Sequence, residues 1–215
     1  MVVIGAVALL IYPHYIRPWH LKWGATPAEV RATLPGDDLV PNPKLAATHA
    51  ITIRASAEEV WPWLVQMGQG KAGFYSYDRL ENLFGCDIHN ADRILPQFQT
   101  LKPGDGIRLH PKMPPMPAVI VEPNRALVLH GDTRVGSGPP VMKPGDYLNV
   151  LWGFYLQPID EHSTRLIERF RSDYNPSAFN RLMNGRIMEP VSFIMERKML
   201  LGIKERAERQ GTGHR

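Results

Sequence analysis

From about Asn175 to Arg209 the chain carries one long helical pattern, and that pattern limits what the rest can be. Met183, Ile187, Val191, Ile194 and Leu201 fall within about a quarter turn of one another at ~100° per residue. Met188, Met195 and Met199 widen the stripe, and Lys198 and Glu205 interrupt it. Arg186, Glu189, Glu196, Arg197 and Lys204 take the other side. A helix this long with one broad apolar face needs a large surface to cover, and a single antiparallel sheet provides one. Methionine is flexible and polarizable, so the same face suits either a core or a cavity wall. Pro190 should kink this helix near its first third.

The segments before it supply such a sheet. Residues 49–54 alternate as a strand, with Ile51 and Ile53 on one face. Ser56 and Glu59 form a capping box for a helix that carries Val60, Trp61, Leu64 and Val65 on its apolar side. Thr26, Pro27 and Glu29 start an earlier, shorter helix in the same way. Short helices are expected over residues 77–84 and 91–97. From Gly104 onward the period is two. Strands are expected at 106–110, 118–122, 126–130, 147–157 and 164–174, with a loop rich in Gly and Pro over 131–145. Gly68 to Gly73 is glycine-rich but lacks the Gly-Lys-Ser/Thr ending of a phosphate loop.

A chain of 215 residues fits one sizeable domain and an appendage. Its 44% hydrophobic content excludes a disordered chain. The net charge of +4 is compatible with an anionic membrane surface or acidic ligands, but no basic run with interleaved aromatics marks nucleic-acid binding. The single cysteine, Cys86, excludes an internal disulfide and thiolate-rich metal sites, and fits a reducing compartment.

Val2 to Ile11 is an uncharged, almost wholly apolar run, and Arg17, His20 and Lys22 follow it. Tyr12, Tyr15, Trp19 and Trp23 have the character of an interfacial aromatic belt. The run is short against the ~20 residues of a full span. Residues 1–22 are read as an N-terminal membrane anchor whose trailing positive charges keep the domain on the cytoplasmic side. The other reading is a buried N-terminal element of the domain itself. Residues 23–45 are read as a helix and linker, 46–210 as the main domain and 211–215 as a disordered tail.

The run Ile51-Thr-Ile-Arg-Ala-Ser-Ala-Glu-Glu-Val-Trp61-Pro-Trp-Leu, with the closing run Met199 to Glu208, resembles the START/birch-pollen-allergen superfamily, also called SRPBCC or polyketide cyclase-like. The stretch Gly73 to Gly85, with Asn90 to Ile94, is similar to a mostly uncharacterised bacterial subgroup of it. The resemblance spans about Ala46 to Glu208. It implies an α+β helix-grip fold, a curved antiparallel sheet wrapped around the long C-terminal helix, with an apolar cavity between them. It does not fix a function, because lipid carriers, receptors, cyclases and chaperone activators share this fold.

Several residues carry candidate chemistry. On strand 164–174, Leu166, Glu168, Phe170, Ser172 and Tyr174 share one face, and Arg165, Ile167, Arg169, Arg171 and Asp173 share the other. If the first face lines the cavity, Glu168 is a buried carboxyl with a raised pKa, a candidate general acid or base. If the second does, Arg169 and Arg171 can bind a ligand anion. Cross-strand charge pairing is the plainer alternative. His110 and His130 end two strands, where they are either cavity-rim acid/base groups or surface histidines. Asp87, His89 and Asp92 are candidate metal ligands, or else caps of the next short helix. Tyr75, Tyr77, Trp152, Phe154, Phe170, Met183, Ile187, Val191 and Met195 are the expected cavity wall. No motif calls for an organic cofactor.

The expected function is binding of a hydrophobic small molecule or lipid, with the membrane as a second partner. The alternatives are a cyclase or dehydratase using His110, His130 or Glu168, and a ligand-free interaction module marked by an exposed apolar patch.

Overall fold

The computed structural model describes residues 12–83, 85–137, 141 and 144–212. The expected anchor run Val2 to Ile11, the middle of the 131–145 loop and most of the tail lie outside them. Among the described residues no helix is long and apolar enough to cross a membrane.

Six strands form one antiparallel sheet: β1 (Leu45–Ile53), β2 (Gly106–Ile107), β3 (Met116–Glu122), β4 (Ala126–Asp132), β5 (Leu148–Asp160) and β6 (Ser163–Tyr174). Their order is β1-β6-β5-β4-β3-β2, so the first strand lies beside the last. The helices are α1 (Arg17–His20), α2 (Pro27–Arg31), α3 (Ala57–Val65), α4 (Asp78–Leu83), α5 (Ala178–Leu182) and α6 (Glu189–Thr212). The sheet is curved and unclosed, and α6 lies across its concave face in the helix-grip arrangement.

Both capping boxes form. Thr26 accepts from the Glu29 N–H and Glu29 accepts in return, and Ser56 and Glu59 do the same at the start of α3. Residues 91–97 do not make the expected helix; one 3-10 turn, Pro96–Phe98, is formed there. The expected strand 106–110 shortens to Gly106–Ile107.

The alternation along β6 resolves into its two faces. Leu166, Glu168 and Ser172 are buried on the concave side. The convex side is covered by the arm before β1, whose Leu34 and Val40 pack with Ala50, Val128, Leu151, Tyr155 and Ile167. Arg169 is buried there, paired with Asp37 at 3.0 Å and donating to the carbonyls of Glu29 and Ala32. The convex arginines therefore serve the arm and do not face the cavity, and the cross-strand charge pair of β6 is Glu168 with His49.

The arm also closes the free edge of β1. The N–H groups of Thr48 and Ala50 donate to the carbonyls of Leu21 and Trp23 at 2.8 and 3.1 Å. An edge strand whose donors are thus paired is no template for another chain. Gly24 permits the approach: at φ 70° its position leaves no room for a side chain, since a Cβ would lie 2.1 Å from the Ala50 oxygen. Residues 17–25 are accordingly part of the domain. The expected anchor run before them lies outside the described residues.

The long helix is turned from its expected orientation. Glu189, Phe193, Met199, Leu200, Ile203 and Ala207 are buried and fall on one face at ~100° per residue. Val191 and Ile194 are 44% and 52% exposed, and Ile187 is exposed too. Before Pro190 the helix widens into a π-helical segment, Met183–Met188. The disturbance expected at this proline, which has no N–H to donate, is a wide turn on its N-terminal side.

Candidate functional site

The concave face and the first half of α6 enclose a cavity of about 270 Å³. Its walls come from Ala47 and His49 on β1, Val150 and Trp152 on β5, Phe170 and Ser172 on β6, and Ser192, Phe193 and Glu196 on α6. Leu109, Met116 and Leu148 extend the apolar lining. Asp146, Tyr147, Asn180 and Asn184 also line it, and Asn180 is held by a bond from its amide to Asp146 at 3.0 Å. The cavity lies just below the ~300–1,000 Å³ range of ligand pockets.

Strand pairing builds the chemistry at its inner end. Register sets His49 of β1 opposite Glu168 of β6, and Glu168 opposite Phe154 of β5. His49 Nδ1 lies 2.8 Å from Glu168 Oε2, and the Trp152 indole N–H donates to Glu168 Oε1 at 2.6 Å. From α6, Glu196 Oε2 comes within 3.4 Å of the same His49 nitrogen. His49 Nε2 is 2.9 Å from the carbonyl of His20. A carbonyl can only accept, so Nε2 carries a proton.

The protonation of the trio follows from its surroundings. Burial opposes a charge on His49, but the hydrogen bond to Glu168 and the charges of Glu168 and Glu196 outweigh it, raising its pKa to about 9. Burial, and then the neighbouring Glu168, push Glu196 up to about 8. Both shifts favour the protonated forms of His49 and Glu196, and Glu196 faces the cavity.

A second buried pair sits behind it. His20 Nε2 lies 3.0 Å from Glu189 Oε1, and Arg17 grips the same carboxylate through two nitrogens at 2.9 Å. The Phe193 ring separates the pairs, stacked on His20 at 5.2 Å and tilted against His49 at 5.4 Å.

Of the residues expected from sequence, Glu168 belongs to this cluster, and Trp152 and Phe170 line the cavity. Phe154 is fully buried in the core with its ring 4.9 Å from that of Trp152. Tyr75 is buried elsewhere, its hydroxyl donating to the Trp63 carbonyl and accepting from Gln66. Tyr77, Ile187 and Val191 are exposed, and Met183 and Met195 are half-buried beside the cavity wall instead of in it. His130 shares the convex face with Ala126 and Val128, bonded to Asn149 at 2.8 Å, because strand alternation sends it away from the cavity. His110 lies in the turn after β2, where Nδ1 accepts from the Lys112 N–H. The two histidines therefore do not converge on a cavity rim.

Asp87 and His89 are exposed and pair with each other at 3.1 Å, while Asp92 binds Arg206 at 2.8 Å. Among the described residues the one group of three potential metal ligands is His49, Glu168 and Glu196. Sequence reasoning did not single out His49 or Glu196. His49 shares its strand face with Ile51 and Ile53, which was a usable sign that it points inward. Glu196 gave no sign, because it lies outside the apolar stripe.

No protein-family model matches the sequence, and no curated protein matches it. Solved structures do. The hypothetical protein jhp0584 from Helicobacter pylori aligns with a TM-score of 0.51 at 10% identity, over 81% of this chain and 95% of that one. Protein MLL2253 from Mesorhizobium loti aligns at 0.48 and 14% identity, over 77% and 98%. A norcoclaurine synthase from Thalictrum, solved with a transition-state analogue, aligns at 0.41 and 14% identity, over 78% and 96%. At these identities the likeness is one of fold: the chain has the helix-grip fold that its resemblance to the START-like superfamily implies.

Proposed function

We propose that this protein binds a hydrophobic small molecule, or the apolar part of a lipid, in the cavity between the sheet and α6. The observation that carries the proposal is the cavity itself: apolar walls at Val150, Trp152, Phe170 and Phe193, ending on the polar groups of His49 and Glu196. Burial of apolar surface would drive binding, and the polar end would set orientation. The Glu196 carboxylic acid can donate a hydrogen bond to a ligand oxygen, which favours a carbonyl or hydroxyl at that end. We further place the domain on the cytoplasmic face of a membrane. The apolar run Val2 to Ile11 supports this, as do the exposed Tyr15, Ile16 and Trp19 just after it.

The test is titration of the full-length protein with N-phenyl-1-naphthylamine, a neutral apolar fluorophore that brightens when buried. The wild type should show saturable, one-site enhancement. Ser192→Trp, which projects an indole into the cavity, should weaken it by roughly tenfold or more, a loss of ~1.4 kcal/mol. No enhancement with the wild type, or an unchanged titration with Ser192→Trp, would remove the proposal.

A second reading, an acid/base enzyme of cyclase or dehydratase type, has one observation in its favour. A proton-holding Glu196 faces the cavity beside an imidazole. Under that reading Glu196→Gln keeps fluorophore binding and abolishes solvent-deuterium exchange next to the carbonyl of a bound ketone. Under the carrier reading the wild type catalyses no such exchange.

A further inference from the structure

We propose that His49, Glu168 and Glu196 form a binding site for one divalent first-row transition-metal ion in the wall of the cavity. The inference does not depend on which hydrophobic ligand, if any, the cavity takes.

The spacing fits a shared ion. One donor atom from each residue lies within 4.8 Å of the other two. His49 Nδ1 is 2.8 Å from Glu168 Oε2 and 3.4 Å from Glu196 Oε2. Ligands bound at about 2.1 Å sit roughly 3.0 to 3.4 Å apart at octahedral or tetrahedral angles, so small side-chain shifts suffice. The three residues come from β1, β6 and α6, which are packed elements and not loops.

Groups outside the trio hold its members as metal ligands are held. The His49 Nε2–H donates to the His20 carbonyl, which leaves Nδ1 as the ring nitrogen turned to the shared space. The Trp152 indole engages Glu168 Oε1, which leaves Oε2 for the same space. Backbone carbonyls behind ligating histidines, and donors behind ligating carboxylates, are the usual outer support of metal sites. Glu196 is the uncommitted third donor. Among the described residues its one close polar contact is His49 at 3.4 Å.

The charges fit as well. Binding would displace the protons of His49 and Glu196, and the two carboxylates and neutral imidazole then carry two negative charges that a dication cancels. Among the described residues no Lys or Arg pairs with Glu168 or Glu196, and the nearby Arg17 is bound to Glu189. An imidazole with two carboxylates and no thiolate suits zinc, iron(II), cobalt(II) or manganese(II). Because His49 and Glu196 line the cavity, the remaining coordination positions would open into it, within reach of water or a ligand oxygen.

The test uses the untagged full-length protein, stripped with a chelator and dialysed. Zn²⁺ binding is counted by equilibrium dialysis, and Co²⁺ is followed by its visible absorption. The expected result is one ion per chain, with a cobalt spectrum that Zn²⁺ displaces. Glu196→Gln and His49→Gln should each weaken binding by at least tenfold. Trp152→Phe, which removes the outer donor to Glu168 and none of the three ligands, should weaken it by about 10- to 100-fold. His89→Gln should change nothing. Circular dichroism shows which variants fold, and Glu196→Gln, nearly the same shape as wild type, keeps the test decisive if His49→Gln does not. Absence of saturable binding, or equal binding by Glu196→Gln and wild type, would overturn the site and leave the trio as a proton-sharing cluster.

Discussion

The Trp152 indole N–H and Glu168 Oε1 meet at 2.6 Å across neighbouring strands, inside the sheet's concave face. This contact, with His49 on the other carboxyl oxygen, is what allows Glu168 to be fully buried. Buried carboxylates are tolerated only when their oxygens are paired.

The first prediction tests that dependence. Trp152→Phe keeps an aromatic side chain but removes the N–H donor and part of the ring volume, leaving one oxygen without its partner, and should destabilise the metal-free protein by about 1–3 kcal/mol. Glu168→Ala removes the close buried partner of His49 and should cost more, about 3–5 kcal/mol. Urea unfolding of both variants gives the comparison. A Trp152→Phe midpoint equal to wild type would show that the hydrogen bond does not support the carboxylate.

Helix position makes the second prediction. Gly202 on α6 lies so close to the chain at Tyr75 that a Cβ would stand 2.2 Å from the Tyr75 carbonyl oxygen. Tyr75 itself holds a left-handed φ of 59° and cannot easily give way. Alanine is ordinarily the better helix former by ~1 kcal/mol. Here Gly202→Ala should nonetheless destabilise by about 1–3 kcal/mol through overpacking. A thermal melt checks the sign, which is opposite to the propensity expectation.

The same helix shows where sequence patterning reads well and where it does not. The strands of the sheet were legible because their alternation is regular, and the helix starts at Thr26 and Ser56 because capping chemistry is local. The stripe through Ile187, Val191 and Ile194 misled because an apolar count assumes that the inward face of a helix is apolar. The inward face of α6 instead begins with Glu189, Ser192 and Glu196, which meet a cavity and two histidines, and becomes apolar at Met199, Leu200 and Ile203. Glu168 was legible as one of two strand faces. Its pairing with His49 was not, because the β1–β6 register joins residues 119 apart in sequence.

That correction is itself a prediction. Ile194→Gln and Val191→Ser change exposed side chains and should shift stability by no more than about 0.5 kcal/mol. Leu200→Ala, on the buried face, should cost about 2–5 kcal/mol. If the expected stripe faced the core instead, the ranking would reverse. Denaturant midpoints of the three variants decide between the orientations.

The last prediction concerns acid. Arg165 on β6 binds Glu29 of α2 through Nε at 2.7 Å and Nη2 at 3.0 Å, tying the arm to the convex face. The hydrogen bond from Arg165 outweighs burial, and with the donors of Thr26 it lowers the Glu29 pKa from 4.5 to about 2. A carboxyl whose folded pKa is depressed adds stability that is present in full above its unfolded pKa. The contribution falls as pH drops from about 4.5 towards 2, because the unfolded state takes up the proton first. Solvent near the pair screens it, so the effect is modest. Glu29→Gln should lower stability at pH 6, and its stability should fall less than that of wild type between pH 5 and pH 2. Urea midpoints across that interval measure the difference. Parallel pH profiles for the two proteins would show that the Glu29–Arg165 bond does not hold the arm to the sheet.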